Sequence, residues 1–172
     1  MSSKQSDARS QARQASRLAA VQALYQMEMS GGGAEEVARE FVEHRFAELP
    51  AAPDEEFFTT ILSGVPQHQV EIDRTIAGAL SEKWKLERMD SILRAILRSA
   101  VFELVDRRDV PAKVVIDEYV AVAGAFFGGD EPGFVNAALD TIARRNSVFR
   151  YRKANWISRR TSNFVSKCRK SG

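Results

Sequence analysis

Cysteine and histidine are almost missing from this chain: Cys168 is the one thiol, and His44 and His68 are the two imidazoles in 172 residues. A lone thiol excludes an internal disulfide, and the donors are too few and too separated for a Cys/His site, so no metal and no cofactor is expected. No apolar run reaches the roughly 18 residues of a membrane-spanning helix. The opening Met1-Ser2-Ser3-Lys4-Gln5-Ser6-Asp7 lacks the apolar region of a signal peptide, and a cytoplasmic protein without membrane contact is expected. Period-two alternation of strand quality is absent, which leaves helices as the building material. No Ser-His-Asp set, facing carboxylate pair or phosphate loop can be assembled with credible spacing, so the chain reads as a non-enzyme.

Acid is missing from the C-terminal end. Residues 1–145 hold all 23 acidic residues against 17 of the 25 basic ones, a net −6, whereas residues 146–172 hold eight basic residues and no acid, a net +8. The first 27 residues are also basic, with Lys4, Arg9, Arg13 and Arg17 against Asp7 for +3. Both ends suit a polyanion, and the acidic middle suits a basic protein.

Apolar residues make up 44% of the chain, enough for one ordinary core. Ala12, Ala15, Leu18, Ala19, Val21, Leu24, Tyr25 and Met27 recur at helical spacing and predict a helix over 9–29, closed by Ser30-Gly31-Gly32-Gly33. A second helix is expected over 34–49, with Val37, Phe41, Val42, Phe46 and Leu49 on one side and Pro50 and Pro53 behind it. Asp54 followed by Glu55 and Glu56 reads as an N-cap with acids in the first turn, before Phe57, Phe58, Ile61, Leu62 and Val65. Pro66 is expected to kink this element or to separate it from a helix over 67–80. Further helices are expected over 88–107, 112–127 and 131–145, the second opened by Pro111. Short connections predict antiparallel packing in an all-α bundle of six to eight helices.

The stretch from 94 to 140 carries most of the information. A helix, the Val110-Pro111 restart, the turn Gly128-Gly129-Asp130-Glu131-Pro132-Gly133 and then Phe134-Val135-Asn136 follow in order. A glycine-rich, acid-bearing turn that delivers an aromatic residue into a helix start is a shape for holding a ligand chain. Arg9, Arg13 and Arg17, at i, i+4 and i+8, can follow phosphates along one helix side, although spacing alone favours a solvated face. Phe134 is in phase with Ala138 and Leu139, so its spacing favours the core.

These blocks resemble one family in order. Arg13, Arg17 and Ala20-Val21-Gln22-Ala23-Leu24-Tyr25 look like the opening of the NusB transcription antitermination factors. Ala95-Ile96-Leu97-Arg98, Phe102-Glu103-Leu104, Asp109-Val110-Pro111, Val115-Ile116-Asp117-Glu118, Phe134-Val135-Asn136 and Leu139-Asp140 are similar to its later blocks. The resemblance covers about residues 9–145 and implies an all-α, NusB-like bundle of about seven helices in two three-helix sub-bundles, without enzymatic activity. It further implies pairing with NusE, a small ribosomal subunit protein, binding of single-stranded boxA RNA from ribosomal operons, and assembly with NusA, NusG and RNA polymerase to suppress termination. Homodimerisation of the free protein fits the family as well.

By the same resemblance, RNA contact falls to Arg13, Arg17, Phe126, Asp130 and Phe134, with Arg9 joining them by its spacing, and partner contact falls to Tyr25, while the charges of Glu82, Glu87 and Asp90 suit a basic partner. Asp130 also reads as an N-cap, and Phe126 and Tyr25 as core residues. The chain departs from the family at three places: Gln14 and Ala15 stand where arginines are common, Ala79 where an RNA-contacting aromatic is found, and Leu93 where an acid often precedes the Arg94 block. Trp84, between Lys83 and Lys85, is a candidate substitute for that aromatic. The domain reading is a flexible 1–8, a helical RNA- and protein-binding domain over 9–145, and a basic aromatic tail over 146–172. In the tail Phe149, Tyr151, Trp156 and Phe164 alternate with arginines and lysines, a composition shared by single-strand binders and by unstructured basic ends. Two other readings stand beside this one: a helical adaptor that binds protein but not RNA, and the NusB-like front of an RNA methyltransferase, which needs a following Rossmann-type domain.

Overall fold

The structure is a computed structural model that describes residues 3–107 and 109–145. Seven α-helices account for most of them, and no strand occurs among the described residues. Helix α1 spans Ser3–Ser30 and ends where Gly31 takes φ 72°, a left-handed conformation that favours glycine, and donates its N–H to the Met27 carbonyl at 2.9 Å. Within the segment 1–8, read from the sequence as flexible, residues 3–8 continue this helix, and residues 4–8 are exposed. The tail over 146–172 lies outside the described residues.

Helix α2, Ala34–Glu40, covers only the first half of its expected span; the chain then widens into a π turn, Phe41–Arg45, and tightens into a 3₁₀ turn, Phe46–Glu48. The change of pitch lets Phe41 and Phe46 reach the same ring: their centroids lie 5.8 and 5.1 Å from that of Phe58, one stacked and one edge-on. Helix α3, Glu55–Gln67, starts as expected, with the Asp54 carboxylate accepting the Phe57 N–H at 3.0 Å. Pro66 falls in its last turn, and His68 separates it from α4, Gln69–Ala79. Gly64 is required here because a Cβ at this position would lie 2.2 Å from the Phe102 ring of α5.

A loop with a 3₁₀ turn, Leu86–Arg88, leads to α5, Ser91–Asp106, whose start is set by Asp90 rather than Arg88: its carboxylate accepts the N–H groups of Ile92 at 2.8 Å and Leu93 at 3.3 Å. Helix α6 is Ala112–Phe126, opened by Pro111, and α7 is Glu131–Arg145. Helices α1, α2 and α3 pack together, α4 to α7 form a second group, and α5 touches both through α1 and α3. Central placement explains the composition of α5: Ile96, Leu97, Ala100 and Val101 are at most 1% exposed, and so is Glu103, a charge that needs a partner. No helix among the described residues is long and apolar enough to cross a membrane.

Candidate nucleic-acid interface

The arginine row on α1 does not stay on one side. Four residues turn about 40° beyond a full circle at 3.6 residues per turn, so two such steps rotate the side chain by about 80°. Arg9 is exposed, Arg13 half-buried and Arg17 only 3% exposed. Arg17 points inward to Glu103, with Nη2 2.6 Å from Oε1 and Nε 3.0 Å from Oε2, and Nη1 lies 3.4 Å from a Glu118 oxygen. The resemblance gave this residue to RNA; here the guanidinium is enclosed and ties α1 to α5 and α6. Tyr119 lies in the same pocket, and burial, reinforced by the charge of Glu103, holds its phenol protonated well above the ordinary range.

Beside this pair the Phe57 ring, 3% exposed, is surrounded by cations: the guanidinium carbons of Arg13, Arg17 and Arg107 lie 5.2, 5.1 and 5.4 Å from its centroid. Arg107, which the sequence reading passed over, is the last-turn neighbour that the fold brings to Arg13.

At the other end of α5 the loop after α4 carries Trp84. The residue is 50% exposed, and its ring lies on Phe134 of the first turn of α7, centroids 4.5 Å apart and planes tilted by 32°. Phe134 is half-buried, so its position in the apolar phase of α7 and its exposure at the surface both hold. Lys83 and Lys85 are exposed on either side of Trp84, and Asp130 is exposed in the turn before Phe134. Ala79, the last residue of α4, packs against the core and offers no ring.

The loop is anchored by ion pairs. Arg94 donates to Glu28 of α1 and to the carbonyls of Leu86 and Met89, both at 2.9 Å. Arg98 holds Asp73 of α4 through two bonds of 2.8 and 2.9 Å and reaches Glu28 at 3.3 Å. These pairs bridge segments about 25 to 70 residues apart, which is why spacing could not reveal them. Trp84, Glu82 and Glu87 line the same groove, of about 1210 Å³, as Arg94 and Arg98.

The expected partner residues separate into two settings. Tyr25, 38% exposed, and Met29, 56% exposed, line a smaller groove of about 470 Å³ whose other walls include Phe41, Ile92 and Phe126. The fold thus seats Phe126, expected at the RNA, in the groove of Tyr25. Glu82 and Glu87 are exposed, while Asp90 is exposed but engaged as the cap of α5. Leu93, which replaces the family acid, is 3% exposed and belongs to the core.

Comparison with known proteins agrees with this architecture. Residues 14–144 match the NusB family. The transcription antitermination protein NusB of Maricaulis maris is 54% identical over 144 residues, covering 81% of this chain and 90% of that one. Its counterpart in Caulobacter vibrioides is 54% identical over 141 residues, covering 79% and 95%. Among solved structures, T. maritima NusB superposes with a TM-score of 0.67 at 31% identity, over 77% of this chain and 90% of that one. A complex described as antitermination factors NusB and NusE with dsRNA shares the fold, with a TM-score of 0.66 at 24% identity over 76% and 95%.

Proposed function

The chain belongs to the NusB family, and from that premise we propose that it is a non-catalytic transcription antitermination factor that binds single-stranded boxA-type RNA together with NusE. The Trp84–Phe134 stack carries the reading. A half-exposed indole set on a phenyl ring, between two lysines, offers a flat face to an unpaired base while the lysines meet its phosphates. A solved assembly of the same fold holds NusB with NusE and dsRNA, which supports a NusE partner and an RNA ligand.

In this reading Arg9 and Arg13 add phosphate contacts from α1, and Trp84 takes the place left by Ala79. Asp130 moderates affinity by repelling phosphate near Phe134. Tyr25 and its groove receive NusE, with Glu82 and Glu87 facing the basic partner. The pair then joins NusA, NusG and RNA polymerase on nascent transcripts in the cytoplasm, and the free protein self-associates through the same uncovered faces.

Fluorescence anisotropy of a boxA RNA with and without NusE, for wild type and Trp84→Ala/Phe134→Ala, tests the reading. Partner-enhanced binding that prefers boxA over a scrambled RNA, and that the variant loses, is expected. Equal binding of boxA and scrambled RNA, with NusE binding intact, would replace it with the adaptor reading, which the burial of Arg17 favours by leaving two arginines of the row outside.

A further inference from the structure

The cations around Phe57 are not equally satisfied. Arg17 has Glu103. Arg13 has no comparable anion: its Nε is buried without a hydrogen-bond partner, and Arg9 and Arg107 add like charge beside it. Asp54, three residues before Phe57, already caps α3 through the Phe57 N–H. Arg107 is held by Asp109, two residues along, with Nε 3.1 Å from Oδ1 and Nη2 3.2 Å from Oδ2. This two-pronged pairing of a guanidinium with a carboxylate is also the way guanidinium binds phosphate. The Asp109 side chain is 62% exposed, so its release to water costs little.

We propose that Arg13 and Arg107, positioned over Phe57, form a phosphate site for the RNA backbone, and that Asp109 occupies Arg107 in the free protein until a phosphate displaces it. The inference rests on the RNA-binding reading above and adds to it a contact residue, Arg107, and a built-in competitor. A phosphate has oxygens enough to engage both guanidiniums at once. It would bring a bonded anion to Arg13, which Asp109, engaged on Arg107, attracts only through its charge. Phe57 holds the pair apart and dry on its inner side, so little side-chain ordering is needed on binding. Burial first, and then repulsion from Arg9 and Arg107, holds the Arg13 pKa below its usual value, in keeping with a site short of an anion.

The test uses the NusE complex and a labelled single-stranded boxA RNA, with anisotropy read over a series of salt concentrations. Arg107→Gln removes the guanidinium but keeps a polar side chain, and its thermal midpoint checks that the fold is retained. Asp109→Asn frees Arg107, and Glu35→Gln, an exposed acid on α2, matches its change in net charge. Arg107→Gln is expected to weaken binding about tenfold at low salt, the loss of one charge-assisted contact. It should also make the slope of log K against log salt shallower by about 0.7, one phosphate on a single strand. Asp109→Asn is expected to bind more tightly than Glu35→Gln. Wild-type affinity and slope in Arg107→Gln, or an Asp109→Asn variant no tighter than Glu35→Gln, would overturn the site while leaving RNA binding intact. Absence of RNA binding by the wild-type complex would overturn the parent reading with it.

Discussion

Helices α1 and α5 run side by side in opposite directions, and their two ends use arginine differently. At the end where α1 begins, Arg17 is enclosed with Glu103, and Arg13 and Arg107 crowd around Phe57 with less negative charge than they need. At the end where α1 finishes, Arg94 and Arg98 are satisfied by Glu28, Asp73 and backbone carbonyls, and their work is to hold the loop that presents Trp84. The first end keeps cationic character available to a ligand; the second is electrically closed and presents an aromatic face. Thirteen residues separate Arg94 from Arg107 at the C-cap of α5, about 20 Å at 1.5 Å per residue, so under the proposed function a bound strand meets charge and stacking at different places.

The largest expected effect lies in the enclosed pair. Arg17→Ala leaves Glu103 buried without its partner and should destabilise the fold by about 3–5 kcal/mol in denaturant unfolding, whereas an Arg17→Met/Glu103→Leu double variant should recover most of that loss. A small loss for Arg17→Ala would show that water or a surface position satisfies Glu103, and the contrast between the two ends would collapse.

Next in size is Trp84. Trp84→Ala should weaken RNA binding by about 1–3 kcal/mol with little change in stability, and Trp84→Phe should retain most of the affinity. Equal loss in Ala and Phe would mean that the indole acts through the loop rather than through a base.

A smaller effect is expected at the closed end. The Arg94 hydrogen bond, followed by the charges of Arg94 and Arg98, holds the Glu28 carboxyl below its usual value of 4.5. A depressed carboxyl contributes stability above its unfolded pKa and loses it as pH falls through the folded one, so acid unfolding below pH 4.5 should be less steep in Glu28→Gln. Identical acid arms in a pH series of thermal midpoints would show that the Glu28 pairs add nothing. Least of all, Arg9→Ala should leave stability within about 0.5 kcal/mol of wild type and make the salt slope of RNA binding shallower by about 0.7.

Much of this was legible in the chain. Helical periodicity located α3, α4, α6 and α7 closely and α1 all but its first turns, and Asp54 was recognisable as a cap from the acids after it. The end of α2 was not, because a π turn keeps apolar residues at nearly helical spacing while changing which of them face inward. Among the candidate residues, Arg13, Tyr25 and Phe134 were picked out by type, spacing and family likeness. Arg17 misled because an exposed and an enclosed arginine look alike in sequence; the difference is Glu103, 86 residues away. Arg107 was missed for the same reason, since its neighbour Arg13 lies on another helix.

Local rules therefore determined what the backbone does here: helix starts, stops and apolar stripes depend on residues within one or two turns, and the uneven charge along the chain is a property of composition alone. Which arginine becomes a strut, which remains open to an anion, and which aromatic finds a second ring were decided by tertiary packing. Burial and pairing depend on distances between segments far apart in sequence, and it is the dehydration of a charge among such segments that decides whether it must be neutralised within the protein or can await a ligand.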